Sequence, residues 1–542
     1  MSVNPKNKTN RAVLVRDGRA DHEILSTETR PVLQTQDAGD ILEETDTGNR
    51  WRWTGTEWIQ VGNRGATCVD PGLHLTSFNE LSIAEPTPIT QITAPYGFLQ
   101  KAQKFLVNGG TAGASSGLFF ATSGTNTDAL AACLTRRQVQ YRAGQGTLAR
   151  LTALFDTPQA DSAQEAGLII NTDRFAFGYE NTTFGIIYKH GGESEVQELT
   201  ITGASAGSED ATVTVSGTGF TIPITVGTVQ HNAFEIAVSL NSQVSDYDFS
   251  SNNDQVVARS LVATPGGSFA FSSGTATGSW SQVIAGVVPT SDFIAQVDWN
   301  FDIFSDLDPT KGNVYQIQVQ YLGFGGIEFY VESKETAKFM LVHRIEFANT
   351  ATVPIVGNPT FRVGWLASNG PTNTTSITVQ GASAAGFVEG IAVRTEASRA
   401  EEATNASVGN TDALNILTIR NRLVFGTRRN RAETFGLSLT AATDSNKAAV
   451  IRVHIGATIA GDLDFQYVDK TNSTTEVAKD AGIVTGGRLV ASFVIPPAGG
   501  QPFNLEQLAS LILPGEVMTI SAVITAGAAS GVTASLTWQE DL

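Results

Sequence analysis

Residues 314–347, VYQIQVQYLGFGGIEFYVESKETAKFMLVHRIEF, alternate apolar and polar side chains through three successive runs. In the first run Tyr315, Ile317, Val319 and Tyr321 share one parity, and Gln316, Gln318 and Gln320 share the other. Ile327, Phe329 and Val331 then alternate with Glu328, Tyr330 and Glu332. In the third run Phe339, Leu341, His343 and Ile345 alternate with Met340, Val342, Arg344 and Glu346. Successive side chains of a strand point to opposite faces, so a period of two predicts three strands with one face each in a core. The glycine-rich 323–326 and the polar 333–338 supply the turns of a meander. A slip of one residue would expose a whole apolar set, so the register is strongly specified.

Working outward, the same texture recurs on both sides. Upstream, from about residue 78, GLFFAT, QVQYRA, LARLTALF, FAFGY and FGIIYKHGG each end in turn-forming residues, which reads as short strands of a sandwich. Residues 198–289 differ: LTITGAS, ATVTVSG and FTIPITVG precede a helical pattern in NAFEIAVSLNSQ, where Ala233, Ile236, Ala237 and Leu240 fall on one face. This predicts a small α+β insert that divides a first sandwich into halves at 78–197 and 290–390. Residues 391–404 are rich in Ala, Glu and Thr and read as a linker. From 405 to 542, ILTIRNRLVFG, FGLSLTAAT, AVIRVHIGA, GRLVASFVI, VMTISAVIT and VTASLTWQEDL predict a second sandwich, with 503–513 a short helix or crossover. The expected fold is all-β: multi-domain, jelly-roll-like β-sandwiches with a small α+β insert and an extended N-terminal arm.

The arm is residues 1–45, polar and lacking a sustained apolar period, with Lys6, Lys8, Arg11, Arg16 and Arg19 against Asp17 in its first nineteen residues. Residues 46–77 follow as a hairpin and connector. Trp51 and Trp53 share one strand parity there, and Trp58 lies beyond the Thr54-Gly55-Thr56 turn, within reach across the ladder. A hairpin this small is marginal alone, so its tryptophans are expected to pack on another chain or on the following domain.

At 542 residues the chain exceeds the ~250–300 at which one core stops growing, so several domains are expected. Charged residues make up 16%, below the roughly 25% usual in soluble domains, which leaves surfaces of hydroxyls and amides. The net charge of −18 argues against nucleic-acid and anionic-membrane binding, which need clustered Lys and Arg. Cys68 and Cys133 are far apart and read as two free thiols. The sequence opens without a charged-then-apolar leader and holds no run of ~18 apolar residues, so assembly in a cytoplasm is the expectation.

Catalytic signatures are missing: there is no GxSxG elbow, P-loop, HExxH pair or dinucleotide fingerprint, and the six histidines are scattered. No catalytic, cofactor or metal residue is assigned. Asp306 and Asp308 offer carboxylates in a turn, but Lys311 stands where a third acid would help; Asp462 and Asp464 have the same defect. His190 and His343 read as core or interface histidines. The cluster Arg428, Arg429 and Arg431 reads as a solvated hairpin tip, with an acidic neighbour or an acidic glycan as the functional alternative. Tyr321, Phe324, Tyr330 and Trp365 are the rings that would stack on a sugar or receptor if exposed; otherwise they fill a core.

Three segments carry a family resemblance: DTGNRWRWTGTEW near the start, LDPTKGNVYQIQVQYLGFGGIEFYVE with FMLVHRIEFANT in the middle, and VTASLTWQED at the end. Together they resemble virion structural proteins of tailed double-stranded DNA bacteriophages, of the fibre, appendage or minor capsid kind. The resemblance implies a virion component assembled in the host cytoplasm, often a homotrimer. It also implies docking to capsid, portal or tail proteins through an N-terminal segment, with outer domains facing a host glycan or receptor. Lys6, Lys8, Arg11, Arg16, Arg19, Trp51, Trp53 and Trp58 are the expected particle-docking residues. The expected function is that of a non-catalytic fibre or appendage. A capsid decoration protein and a glycan-binding or glycan-cleaving tailspike are the alternatives.

Overall fold

The computed structural model describes residues 11–16, 19–24, 41–44, 49–54, 56–63, 86–263, 266–390, 398–426, 428–444, 446–508 and 510–541. The chain divides into two units, Met1–Ile83 and Ala84–Leu542.

In the first unit the strands Arg11–Arg16, Arg19–Ile24, Ile41–Glu44, Asn49–Trp53 and Trp58–Asn63 form one five-stranded sheet in chain order. The second and third pair in parallel and the other neighbours antiparallel. This corrects the expectation of an extended arm across 1–45, since three strands lie there. The sequence holds the reason: RAVLVR and RADHEI flank Asp17-Gly18, a strong short-range hairpin signal that a search for a sustained period passes over. The tryptophan hairpin forms as read. Trp53 and Trp58 are direct cross-strand partners, their rings 5.5 Å apart, and the Thr54 N–H closes the turn on the Glu57 carbonyl at 2.9 Å.

In the second unit the first sandwich packs two sheets over one core. One sheet has the order Thr290–Ala295, Thr183–His190, Arg174–Glu180, Ser162–Ile169, Arg362–Asn369, Leu130–Thr135, Ala102–Val107. The facing sheet has nine strands and contains the whole meander, Asn313–Val319, Ile327–Glu332 and Phe339–Ile345. Parity decides what lies between them. Tyr315, Ile317, Phe329 and Val331 from one sheet meet Phe177, Leu168 and Trp365 from the other, all fully buried. Gly381 makes room for the largest ring: a Cβ there would stand 2.4 Å from Cε2 of Trp365 and 2.2 Å from the Thr152 carbonyl.

The third meander strand departs from strict alternation. Phe329 pairs with His343 and Tyr330 with Leu341, so Val342 is an extra residue, a β-bulge. Val342 is fully buried, and its carbonyl accepts the N–H groups of Phe301 at 3.1 Å and Asp302 at 3.2 Å. QVQYRA also differs from expectation, contributing only an isolated bridge between Val139 and Phe361. Its side chains are used instead to meet the second sandwich.

The insert is α+β. Val196–Gly203, Thr277–Ile284, Gln255–Ser260 and Tyr247–Asn252 form a four-stranded sheet, and Glu209–Val215, Thr218–Ile224 and Phe269–Ser272 a three-stranded one. The helix Val229–Gln243 starts at Thr228, whose hydroxyl accepts the His231 N–H, and buries Ala233, Ile236, Ala237 and Leu240 against both sheets.

The second sandwich begins earlier than expected. Residues 391–397 of the expected linker lie outside the described residues, and Ser398–Val408 is already an edge strand paired with Ser530–Asp541. Its alanines sit among charged and polar residues, SRAEEATNASV, so no apolar alternation marks it as a strand. Ser530–Asp541 also pairs with Glu433–Thr443, and Trp538 is fully buried in this core. The stretch expected as a helix or crossover is a strand, Gly500–Asn504, a single 3-10 turn, Glu506–Leu508, and a two-residue strand, Leu511–Ile512.

Candidate functional site

The expected docking and ligand residues separate sharply. Lys6 and Lys8 lie outside the described residues, while Arg11, Arg16 and Arg19 lie on the first two strands of the N-terminal sheet. Of the four candidate stacking rings, Phe324 alone is exposed, at 42%. Trp365 is fully buried, stacks on Phe119 and donates its Nε1–H to the Thr152 carbonyl at 2.9 Å, so it is a core residue and no glycan contact. Tyr321 packs on Tyr141 and gives its hydroxyl to the Val356 carbonyl at 2.8 Å; Tyr330 gives its hydroxyl to Glu328.

The acidic turn forms no cation loop. Asp306 pairs with Lys334 at 2.7 Å, and Asp308 accepts the Thr310 N–H and hydroxyl at 2.9 and 2.6 Å, a local turn. Asp462 pairs with His231 of the insert helix, and the Asp464 N–H donates to Asp480 at 2.8 Å. Among the described residues no cluster of His, Cys, Asp or Glu is arranged to hold a metal. His190 stacks on Tyr188 and faces Asp292 at 3.2 Å. His343 is buried, which pushes its pKa down, and its Nδ1 accepts the Asn300 N–H at 3.2 Å.

The arginine cluster departs from the expected solvated tip at two of its three residues, Arg429 and Arg431. Arg428 and Arg429 form a two-residue strand paired with Val424–Phe425; Arg428 is exposed, as expected of a solvated hairpin tip, whereas Arg429 lines a cavity shared with the rest of the body. Arg431 donates to the Asn358 carbonyl at 2.7 Å and the Thr172 hydroxyl at 2.6 Å, and pairs with Asp173 at 3.4 Å, all in the first sandwich. Beside it Glu433 is fully buried and accepts the Gln138 N–H at 2.8 Å and Arg137 Nε at 3.3 Å. Arg420 binds Glu476 at 2.5 Å and also reaches the Ser251 carbonyl, while Asn252 donates to Glu476 at 2.8 Å. These bonds join the second sandwich to the first and to the insert.

The three parts enclose a cavity of about 830 Å³. Its floor is the outer face of the seven-stranded sheet, where Phe105, Leu130, Leu134, Ile169 and Leu366 form a small apolar cluster. Its walls carry Arg259 from the insert, Arg362 from the first sandwich, and Arg429 and Arg431 from the second. Arg259 is 5% exposed and pairs with Asp248, yet its Nε is buried with no partner. Arg362 donates to the carbonyls of Thr135 (2.9 Å) and Arg136 and to Gln103 Oε1 (2.9 Å), neutral acceptors only. Arg429 Nη1 is buried and unpartnered. Burial pushes Arg429 well below the ordinary arginine pKa, and the adjoining Arg259 and Arg431 push the same way. Burial lowers Arg362 to about 10, against the pull of Glu433 and Glu516. Taking an ion out of water costs on the order of several kcal/mol unless a counter-charge meets it. In a chain of net charge −18, the interior of this junction is locally cationic.

Only the neighbouring Arg428, Arg429 and Arg431 stand out in the sequence as a cluster. The other walls come from single arginines inside apolar strands, Arg259 in QVVARS and Arg362 in RVGWLASN. That was the available signal, because an arginine on a sheet face that is otherwise apolar must find a partner or a ligand.

No family model matches the chain, and no curated protein matches it. Among solved structures it is similar to arcelin-5, a lectin-like defense protein from Phaseolus vulgaris, at 10% identity and a TM-score of 0.21, covering 56% of this chain and 100% of that one. Lectin II from Ulex europaeus is similar over 56% of this chain and 100% of its own, at 8% identity and a TM-score of 0.21. A structure described as the triple jelly roll fold and turret assembly in an archaeal virus is similar over 86% of this chain and 98% of its own, at 7% identity and a TM-score of 0.16. At these scores the likenesses carry no argument about this chain.

Proposed function

We propose that this chain is a non-catalytic structural component of a tailed-phage particle, a fibre or appendage. It docks through its N-terminal unit and presents its large β-body outward. The observation that carries this reading is the division of labour along the chain. A small tryptophan-bearing sheet comes first, and a body of 459 residues follows in which three β-rich parts are tied by buried charged bonds. The segment resemblances described above support the particle assignment. Self-association is supported by the edge strand Arg488–Ile495, which lies at the end of its sheet with Leu489 and Val494 more than half exposed, and the trimer is what the segment resemblance adds. Such apolar edges are templates for further pairing unless covered.

The test removes residues 1–83 and follows assembly. The expected product is folded by circular dichroism and absent from purified particles. Normal incorporation of the truncated chain would overturn the docking role. Light scattering of the full chain tests the oligomer: a Leu489→Glu, Val494→Glu double variant is expected to lower the mass to that of one chain.

A further inference from the structure

We propose that the cavity between the two sandwiches and the insert binds a small amphipathic organic anion, its carboxylate, sulfonate or phosphate group held by Arg429 and Arg259 and its apolar body resting on the sheet below. This goes beyond the particle reading and does not depend on it.

Two independent features point to a ligand. Polar side chains buried in a protein are nearly always hydrogen-bonded, and here Arg429 and Arg259 line the same cavity while one guanidinium nitrogen of each, Arg429 Nη1 and Arg259 Nε, is buried without a hydrogen-bond partner. Both belong to guanidinium groups, which have only donors and so need an acceptor to meet each N–H. Arg362, also on the wall, has only neutral acceptors, and the carboxylates nearby are engaged: Asp248 with Arg259, Asp173 with Arg431, Glu516 with Arg136. An anion is the missing counter-charge.

The second feature is the floor, which decides the rest of the ligand. A free inorganic ion would satisfy the arginines and leave the partly exposed Phe105 and Leu130, packed against the buried Leu134, Ile169 and Leu366, facing water in a space of about 830 Å³. A compact hydrocarbon or aromatic body covers that surface, which is how ligand pockets combine an apolar lining with a few convergent polar groups. Planar guanidinium forks suit bidentate carboxylate, sulfonate and phosphate oxygens. Because the walls come from all three parts of the body, a bound anion would also cement the insert and the second sandwich onto the first.

The experiment titrates the full chain with anilinonaphthalenesulfonate, a fluorescent probe of this chemistry, and then competes it. Saturable one-to-one enhancement is expected, displaced by octanoate but not by equal concentrations of octanol or inorganic phosphate. Arg429→Gln should weaken binding about tenfold or more, as loss of a charged hydrogen bond implies, whereas Arg452→Gln, outside the cavity, leaves it unchanged. Arg429→Gln is also expected to keep or raise the melting temperature without ligand, since it removes an uncompensated buried charge. Non-saturable binding, equal displacement by octanol, or unaltered affinity of a folded Arg429→Gln protein overturns the proposal. Should that variant not fold, the octanoate-against-octanol comparison on the unaltered chain decides it.

Discussion

Glu165→Gln removes one negative charge from the outer face of the seven-stranded sheet and almost no volume. Glu165 is fully buried; its Oε1 accepts Arg174 Nη1 at 2.7 Å and Lys189 Nζ at 3.1 Å, from side chains that are themselves 11% and 15% exposed. Its Oε2 has no hydrogen-bond partner, so the amide nitrogen of Gln displaces no bond there. The loss is therefore electrostatic: two buried cations keep a neutral acceptor and lose their counter-ion. Removing one member of a buried ion pair costs about 3–5 kcal/mol. For a cooperative unit of 150–250 residues each kcal/mol moves the melting temperature by roughly 2–4 °C, so a drop of roughly 6–20 °C is expected by calorimetry of the full chain. The pH dependence has a definite sign. Burial pushes the Glu165 carboxyl up, but Arg174 and Lys189 hold it below the ordinary value. The unfolded chain therefore binds this proton more readily. The stabilisation is present above the ordinary pKa of ~4.3 and is lost as pH falls through the lowered folded value. The variant should show no such dependence from this site. A drop of less than about 2 °C, or an unchanged acid limb in the variant, would refute the argument.

Trp365→Ala should destabilise the first sandwich by about 3–5 kcal/mol in urea titration, while Phe324→Ala, at an exposed turn, should change it by less than about 0.5; the opposite order would make Trp365 a surface contact after all. Burial pushes the Cys133 thiol up to about 12, so in a Cys68→Ser background a thiol reagent at pH 8 should react only after denaturation. Glu209 accepts the Ser273 and Thr275 hydroxyls (2.5 and 3.1 Å) and the Ala276 and Thr275 N–H groups (3.0 and 3.1 Å), which lowers its pKa to about 2. The order it gives that loop is present above the ordinary carboxylate pKa and lost as pH falls through about 2. Amide exchange at Thr275 and Ala276 should accordingly quicken in Glu209→Gln near neutral pH, and equal protection in both proteins would count against the clamp.

The strands that the sequence showed most clearly are those with one wet face or a clean period, such as Asn313–Val319 and Ile327–Glu332. The helix was legible for the same reason, since its four apolar positions recur at helical spacing. Legibility failed where pairing overrides local pattern. Ser398–Val408 has scarcely an apolar residue apart from alanines and Val408, and is a strand because Ser530–Asp541 offers it a long backbone ladder. The bulge at Val342 left no mark either, because both Leu341 and Val342 are apolar and either parity looks plausible.

The arginine cavity was hidden for a deeper reason. A run such as Arg428-Arg429-Asn430-Arg431 is ordinarily solvated, and the reading of a free hairpin tip assumed that a charged turn ends in water. Here Arg428 stays exposed while Arg429 and Arg431 line a cavity, and the residues that change their meaning, Asp173, Arg259 and Arg362, are scattered over the two other parts of the body. What the sequence did contain was one arginine placed among Val, Ala and Leu on each of two strands whose neighbours are core residues. Burying a guanidinium in such a strand is costly unless something meets it, and most of the arginines in this junction are met by Asp or Glu. Arg362 and Arg429 make no ion pair with a carboxylate among the described residues, although Glu433 and Glu516 act on the first and Asp248 on the second from farther away. The anion proposed for the cavity would supply Arg429 with the counter-charge that the protein itself places farther away.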